Sequence, residues 1–263
     1  MRRFCRYLLL FPLSFSIAAS AQADAALDKV LQCMRANVPP TLRIQEIELQ
    51  ATDRTGASRV MKGKLFAMRE KGLLRATVHI AEPADLAGAS YLVRETTDAS
   101  HGDEMYMFLP ALGRVRRITG AGVDGSFLGT DFSYNDVKQI ENAFGDNDGK
   151  LEKPEQIEQH PVYVLSFKPR PDQSSRYSLL RAWVDQKTCV ALKVDFYEGE
   201  APRKELSAPV SALQQSSNYW YLSQAQMKDL KDGTSTKLSV LGVSSGADLA
   251  SRFFDPHTFY LGN

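Results

Sequence analysis

Histidine, cysteine and serine side chains are the first residues to test for chemistry, because they act as bases, nucleophiles and metal ligands. The chain has four histidines, at positions 79, 101, 160 and 257. No two are four residues apart and none is beside a cysteine, so no short metal-binding signature is present. The segment Gly125–Gly129 is not a nucleophile elbow, because its serine is at the second position instead of the third. We therefore expect no enzymatic activity, metal or cofactor; a hydrolase whose triad is assembled across the fold is the least favoured alternative.

The acidic segment before Leu151 resembles part of a calcium-binding loop. Asp146 and Asp148 precede Gly149 at the spacing of EF-hand ligands, and Glu155 falls at the twelfth position. The first ligand position, however, would be Phe144, whose side chain cannot bind calcium. The sequence therefore favours a solvated turn over a calcium site.

A second group of residues with possible chemistry is basic. Arg114 and Arg116 are two residues apart on a strand-like run and are expected to project from the same face, with Arg117 on the other. One interpretation is a docking site for an anionic headgroup or an acidic partner. The other is an edge strand kept soluble by its charges. The sequence leaves both open.

The N-terminal residues have the pattern of a secretory signal peptide. Three arginines precede the apolar run Leu8–Ala19, and Ala21 and Ala23 supply the small residues of a cleavage site. The run is shorter than the roughly 20 residues of a membrane span. We expect residues 1–23 to be a cleaved signal peptide and residues 24–263 to form one exported domain.

Two cysteines, Cys33 and Cys189, remain in the expected mature chain. In an oxidising compartment they are candidates for one disulfide, although two buried thiols would also fit the sequence. The net charge of +1 argues against nucleic-acid binding.

The elements that would position these residues are mostly strands. An amphipathic helix is expected over Asp24–Asn37, and a second over Tyr134–Phe144 behind a Ser133–Asp136 capping box. The runs of strand-like residues are Leu42–Asp53, Arg59–Arg69, Leu73–Ala81, Ser90–Thr96, Val162–Lys168, Leu179–Asp185, Cys189–Tyr197, Tyr219–Leu222 and Thr236–Val243. This order predicts a mainly β (α+β) fold, in which one curved antiparallel sheet wraps its helices.

Apolar and aromatic residues on these strands are candidates for the wall of a lipid cavity, although an ordinary core would have the same composition. The alternating positions expected to face inward are Leu74, Val78, Ile80, Leu192, Val194 and Phe196, together with Tyr106 and Phe108. The glycine-rich segment Gly120–Gly129 and the second helix would form a mobile lid.

The strings MYMFLPALGRVRRITG (105–120) and GSFLGTDFSYNDV (125–137) resemble the outer-membrane lipoprotein-sorting family, relatives of the periplasmic carrier LolA. RAWVDQKTCVALKVDFYE (181–198) and RFFDPHTF (252–259) are similar to it in kind and order. The resemblance covers most of residues 24–263. It implies a half-open antiparallel β-barrel with helices that plug its concave side.

The resemblance also implies a function. We expect a monomeric periplasmic carrier that binds the acyl chains of a lipid or lipoprotein and shuttles them toward the outer membrane. Its partners would be an inner-membrane transporter of the RND type and, transiently, a membrane. The alternative is a periplasmic regulatory protein that senses lipids or lipoproteins on the same scaffold.

Overall fold

The computed structural model describes residues 16–97, 102–141, 143–144, 148–169, 175–246 and 250–261. Most of the expected signal peptide (1–15), His101 and the candidate calcium ligand Asp146 lie outside the described residues.

The helices are Ser16–Arg35 (α1), Tyr134–Glu141 (α2) and Ala250–Phe253 (α3). The first eight strands are Leu42–Thr52 (β1), Ser58–Glu70 (β2), Leu73–Glu82 (β3), Ser90–Arg94 (β4), Glu104–Leu109 (β5), Arg114–Arg117 (β6), Asp148–Leu151 (β7) and Glu155–Ile157 (β8). The others are His160–Lys168 (β9), Leu179–Asp185 (β10), Ala191–Glu198 (β11), Ala201–Ser207 (β12), Leu213–Ser216 (β13), Tyr219–Leu222 (β14), Gln224–Asp229 (β15) and Thr234–Gly246 (β16). Short 3-10 turns occupy Pro110–Leu112, Gly120–Asp124 and Val210–Ala212.

Fourteen of these strands form one antiparallel sheet that does not close on itself. Its order is β6-β5-β4-β3-β2-β1-β16-β15-β12-β11-β10-β9-β7, and β8 also pairs with β9. Strand β6 is one edge, and β7 and β8 are the other. β13 and β14 pair only with each other, as a separate hairpin. The half-open antiparallel fold expected from the sequence is confirmed.

The concave face of the sheet carries the main core, because apolar residues alternate along its strands. On β3, Leu74, Ala76, Val78 and Ile80 all belong to this core. Helix α1 packs Leu27, Val30 and Met34 against the same cluster. The sheet and α1 therefore share one hydrophobic core.

Helix α1 begins earlier and ends sooner than the expected Asp24–Asn37. It runs through the alanine-rich residues after Ser16, which have high helix propensity, and ends at Arg35 before Pro39. A disulfide joins Cys33 of α1 to Cys189 in the turn between β10 and β11, with a Cα–Cα distance of 5.8 Å. Among the described residues, no helix has the length and apolar character that crossing a bilayer requires.

Helix α2 begins with the capping box expected from the sequence. The Ser133 amide donates to Asp136 Oδ2 (2.8 Å), and the Asp136 amide donates to Ser133 Oγ (3.0 Å). The helix ends at Glu141, before the expected Phe144, because Ala143 and Phe144 adopt positive φ values of 52° and 58°. This left-handed pair sends Phe144 into the core, where its ring centroid lies 5.1 Å from that of Phe167.

The convex face of the sheet carries a second core that the C-terminal segment covers. Phe253 stacks on Phe66 at a centroid distance of 4.1 Å, and Tyr260 stacks on Phe108 at 4.2 Å. The hydroxyl of Thr77 donates to the Phe253 carbonyl at 2.6 Å. Strands β2 to β5 therefore carry apolar contacts on both faces where this segment lies.

Candidate functional site

A cavity of about 190 Å³ lies between the concave face of the sheet and the elements that cover it. Sheet residues on its wall include Ile47, Leu49, Leu65, Val78, Leu206 and Val240. Its cover includes Met34 of α1, Val137 and Ile140 of α2, and Phe127 and Phe132 from the preceding loop. The wall is apolar over most of its extent, so the cavity favours hydrocarbon over a charged ligand.

The volume of the cavity is small for its proposed contents. Pockets for drug-sized ligands usually enclose roughly 300 Å³ or more. A long acyl chain therefore fits only if part of the wall moves. The interior strands of the main sheet are hydrogen-bonded on both sides, which restricts their movement.

One end of the cavity is polar. Arg43 is buried, donates to the Asn37 carbonyl (2.9 Å) and forms an ion pair with Glu141 at 3.4 Å. The Nε atom of Arg43 has no hydrogen-bond partner among the described residues. An unsatisfied guanidinium donor is costly to bury. The site thus combines an apolar chamber with a polar end formed by a buried ion pair.

Helix α2 is fixed to the sheet at its start by a buried ion pair. Lys204 Nζ of β12 lies 3.1 Å from Asp136 Oδ2 and 2.7 Å from the Asp131 carbonyl. Tyr177 lies near this pair; burial and the Asp136 carboxylate raise the pKa of its hydroxyl, which therefore stays protonated. With the buried Lys138–Asp103 pair and Arg43–Glu141, three ion pairs hold α2 over the cavity.

The loop that leads into α2, part of the expected lid, packs against the core. Phe127 is buried, and its ring lies 5.8 Å from that of Tyr91. The Phe127 amide donates to the Phe132 carbonyl at 2.7 Å, and Thr130 Oγ1 donates to the Phe127 carbonyl at the same distance. The second half of the segment Gly120–Gly129 is thus folded onto the core.

The β13–β14 hairpin forms a third part of the wall, through Trp220, Tyr221 and Leu222. Asn37 connects it to the rest of the molecule. The Trp220 amide donates to Asn37 Oδ1 (3.0 Å), and Asn37 Nδ2 donates to the Thr188 carbonyl (2.8 Å), beside the disulfide. Sequence reasoning identified this strand but not its place at the cavity.

The expected cavity residues divide among three clusters. Val78 lies on the cavity wall. Leu74, Ile80, Val194 and Phe196 belong to the same concave core as the wall residues, but the cavity is not lined by them. Only 0–1% of the surface of these four residues is exposed, so neighbouring side chains pack around them.

Leu192 was expected on the inner face with Val194 but lies on the other face. The cause is a β-bulge between β10 and β11: Trp183 pairs with Lys193, and Val184 pairs with Ala191. Leu192 is the extra residue, so its side chain turns outward and joins Trp183. One inserted residue reverses the alternation on which the prediction depended.

Tyr106 and Phe108 were also expected on the inner face, and they lie in the convex core instead. Both faces of β5 are apolar, and the inner positions are taken by Met105 and Met107. The C-terminal segment supplies Tyr260, which covers Phe108. Alternation alone could not distinguish the two faces of this strand.

Arg114 and Arg116 are exposed on β6, the edge strand of the sheet. They pair with Leu109 and Met107 of β5, two residues apart, which places them on one face of the strand. Arg117 is exposed as well. Among the described residues, no group of three or more His, Cys, Asp or Glu side chains is arranged to hold a metal ion.

Comparison with known proteins places this geometry in a family. A model of a family described as uncharacterized protein matches residues 72–259. No match was found among the curated proteins.

Several solved structures share the fold. A domain from Vibrio parahaemolyticus, described as an outer membrane lipoprotein-sorting protein domain, is 24% identical with a TM-score of 0.78; the match covers 88% of this chain and 97% of that chain. A DUF1329 family protein from Desulfovibrio piger is 22% identical, with a TM-score of 0.79 and coverage of 89% and 97%. A LolA superfamily protein from Nitrosomonas europaea is 19% identical, with a TM-score of 0.67 and coverage of 87% and 96%. The fold implied by the sequence motifs is that of these proteins.

Proposed function

Because the chain belongs to the family of uncharacterized proteins whose model matches residues 72–259, and folds like LolA superfamily proteins, we propose that it is a periplasmic carrier of acyl chains. The cargo would be a lipid or a lipoprotein. The observation that carries the proposal is the apolar cavity enclosed between the concave face of the sheet, α1, α2 and the β13–β14 hairpin.

The energetics of acyl chains suit such a cavity. Each CH₂ group removed from water stabilises the complex by roughly 0.8 kcal/mol. A bilayer offers a similar gain, and one myristoyl chain is held by a membrane only marginally. A chain can therefore pass between bilayer and cavity at little net cost. The direction of transport must come from the partners, which we propose to be an RND-type transporter in the inner membrane and an acceptor at the outer membrane.

The two ends of the cavity would hold different parts of the cargo. The alkyl chain would lie along Leu65 and Val78, and the free Nε donor of Arg43 would bind an ester or carboxylate oxygen. Arg114 and Arg116, at the exposed edge of the sheet, would contact an anionic headgroup or an acidic partner.

The proposed compartment agrees with the Cys33–Cys189 disulfide, since such bonds persist mainly in oxidising compartments. Residues 1–23 would be removed as a signal peptide during export, and residues 24–263 would act as one monomeric domain.

The proposal can be tested by replacing valine with aspartate in two separate variants, one in the cavity wall and one at an exposed control position. Val240 is a half-buried wall residue on β16, and Val60 is a solvent-exposed valine on β2. We expect Val240→Asp to weaken binding of a fluorescent fatty acid at least about tenfold, because a carboxylate beside an alkyl chain costs on the order of 2 kcal/mol. Val60→Asp should bind as the unmodified protein does.

Near-ultraviolet circular dichroism of both variants would show whether the fold is kept. Equal binding by a folded Val240→Asp variant would exclude this cavity as the acyl site. A carrier must also release its cargo to acceptor vesicles. A protein that binds the fatty acid but never transfers it would fit the sensor alternative instead.

A further inference from the structure

The β13–β14 hairpin differs in composition from the rest of the chain. There is no Asp, Glu, Lys, Arg or His between Glu205 and Lys228, although charged residues make up 24% of the sequence. The hairpin lies within this uncharged stretch and forms its own two-stranded sheet. A hairpin of two strands is marginally stable alone, so its position depends on its contacts with the body of the protein.

Three consecutive aromatic residues occupy the second strand of the hairpin. Tyr219, Trp220 and Tyr221 are all partly exposed. The register pairs Ser216 with Tyr219 and Gln215 with Trp220, so Tyr219 and Trp220 face opposite sides of the hairpin. Trp220 and Tyr221 line the cavity, and Tyr219 does not. Tyr219 shares a side of the hairpin with Tyr221 but lies outside the cavity wall, next to the turn.

The hairpin is also the wall element with the weakest electrostatic attachment. Three ion pairs hold α2, whereas the hairpin has no charged side chain with which to form one. The Trp220 amide joins it to the turn that follows α1 by a hydrogen bond to Asn37 Oδ1. The same asparagine donates to Thr188, next to the exposed Lys187.

We propose that the β13–β14 hairpin is the surface with which this protein contacts a lipid bilayer. Tyrosine and tryptophan rings favour the interfacial layer, where an apolar body and a polar tip are both satisfied. An uncharged hairpin enters that layer without the desolvation cost of an ionised group. Lys187, beside the hairpin's attachment point, would lie near anionic headgroups.

The proposed bilayer contact rests on the proposed carrier function. It adds to that function a route by which the cargo enters the cavity. Since Trp220 and Tyr221 are shared by the hairpin and the cavity wall, an acyl chain would pass from the bilayer into the cavity along the hairpin. Displacement of the hairpin would also supply the additional volume that the cavity lacks.

Tryptophan fluorescence tests the contact directly, because the protein has only two tryptophans, Trp183 and Trp220. Trp183 is buried, and its Nε1 donates to Glu155 Oε2 at 2.8 Å. In a Trp183→Phe variant, Trp220 is the sole reporter; in Trp220→Phe, Trp183 is the matched control. Both would be mixed with vesicles of phosphatidylcholine and phosphatidylglycerol that contain lipids brominated at defined depths.

We expect the Trp220 emission to shift to shorter wavelength and to be quenched most by bromine close to the headgroups. The Trp183 emission should not be quenched by bromine, because this ring is buried. If vesicles leave the Trp220 emission unaltered, the proposal is wrong.

A bound lipid could also alter Trp220 from within the cavity, so a second variant separates cavity binding from bilayer contact. Tyr219→Ser removes a ring that does not line the cavity. Co-sedimentation with vesicles should fall about tenfold, since such a ring would bury roughly 60 Å² in the interface. Tyr197→Ser, at a half-buried tyrosine on β11, is the control and should sediment like the unmodified protein.

Binding of a soluble fatty acid, measured without vesicles, keeps the two proposals apart. Unchanged fatty-acid binding by Tyr219→Ser with lost sedimentation would support the bilayer surface. Loss of sedimentation in an Arg114→Ser/Arg116→Ser variant but not in Tyr219→Ser would overturn it in favour of the basic edge. If neither the unmodified protein nor any variant binds the fatty acid, the carrier function itself is refuted, whatever the result with vesicles.

Discussion

Replacement of Lys204 by methionine should destabilise the protein far more than an ordinary ion-pair deletion. Lys204 and Asp136 have 7% and 1% of their side-chain surface exposed, with 3.1 Å between Nζ and Oδ2. Methionine matches the length of the lysine but leaves the Asp136 carboxylate buried without a counter-ion. Deletion of one partner of a buried pair costs about 3–5 kcal/mol.

This loss is large enough to measure easily. For a protein of this size, each kcal/mol lowers Tm by roughly 2–4 °C, so the Lys204→Met variant should melt about 10 °C lower. Differential scanning calorimetry would give the change in Tm, and urea unfolding would give the change in the free energy of unfolding. Both would be measured with the disulfide intact. The start of α2 should loosen first, because Asp136 also caps that helix.

The control is Lys62→Met. Lys62 pairs with Glu82 at 3.4 Å, but 47% and 64% of these side chains are exposed. Water already solvates both charges, so the loss should stay below about 1 kcal/mol. A Lys204→Met/Asp136→Asn variant should recover part of the stability, since no buried charge remains. If Lys204→Met cost no more than Lys62→Met, the buried pair could not be the anchor of α2.

Two further predictions concern stability. In Cys33→Ser/Cys189→Ser, loss of the link between residues 156 apart should lower the free energy of unfolding by about 2–5 kcal/mol, measured in urea without reductant; an unchanged midpoint would contradict this. Burial, and secondarily the Lys64 ammonium, lower the pKa of His79 from 6.5. The unfolded chain therefore binds more protons, and stability should fall as pH drops below 6.5 toward the folded pKa. His79→Gln should reduce this fall between pH 7.5 and 5.5, and a variant with the same pH dependence as the unmodified protein would refute the assignment.

The strands and their boundaries could be predicted because alternation and turn residues act locally. β10 was expected at Leu179–Asp185 and lies there, and the capping box at Ser133 was read from four consecutive residues. The half-open fold was predicted from motifs that resemble the outer-membrane lipoprotein-sorting family, and the structure confirms it. These features depend on neighbours in sequence, so a single chain contains the information.

The composition of the cavity wall depends on contacts distant in sequence, and there the predictions were less accurate. Leu192 faces outward because of a bulge that shifts the pairing with β10. Phe108 faces outward because a segment about 150 residues later covers it. The rings of β14 reach the cavity through contacts such as the hydrogen bond from the Trp220 amide to Asn37, which is distant in sequence. None of these three causes leaves a periodic pattern in the residues concerned.

In contrast, the uncharged stretch before Lys228 is a pattern that can be seen in the sequence alone. Its aromatic residues predict a strand, and the absence of charged residues around them is a second, separate pattern. A segment without charges in a chain of ordinary composition is a candidate for contact with a less polar environment, such as a lipid interface. The structure gives this pattern a location beside the cavity.

The place of β1 within the sheet has a consequence for how the chain folds. β1 lies between β2 and β16, so the two halves of the sheet meet through strands from opposite ends of the sequence. β1 to β6 can pair as soon as they emerge from the ribosome, but the second edge of β1 stays open until β16 has been synthesised. Such distant pairing is slow to form. A nascent chain would therefore remain without its completed core until nearly all of it is made.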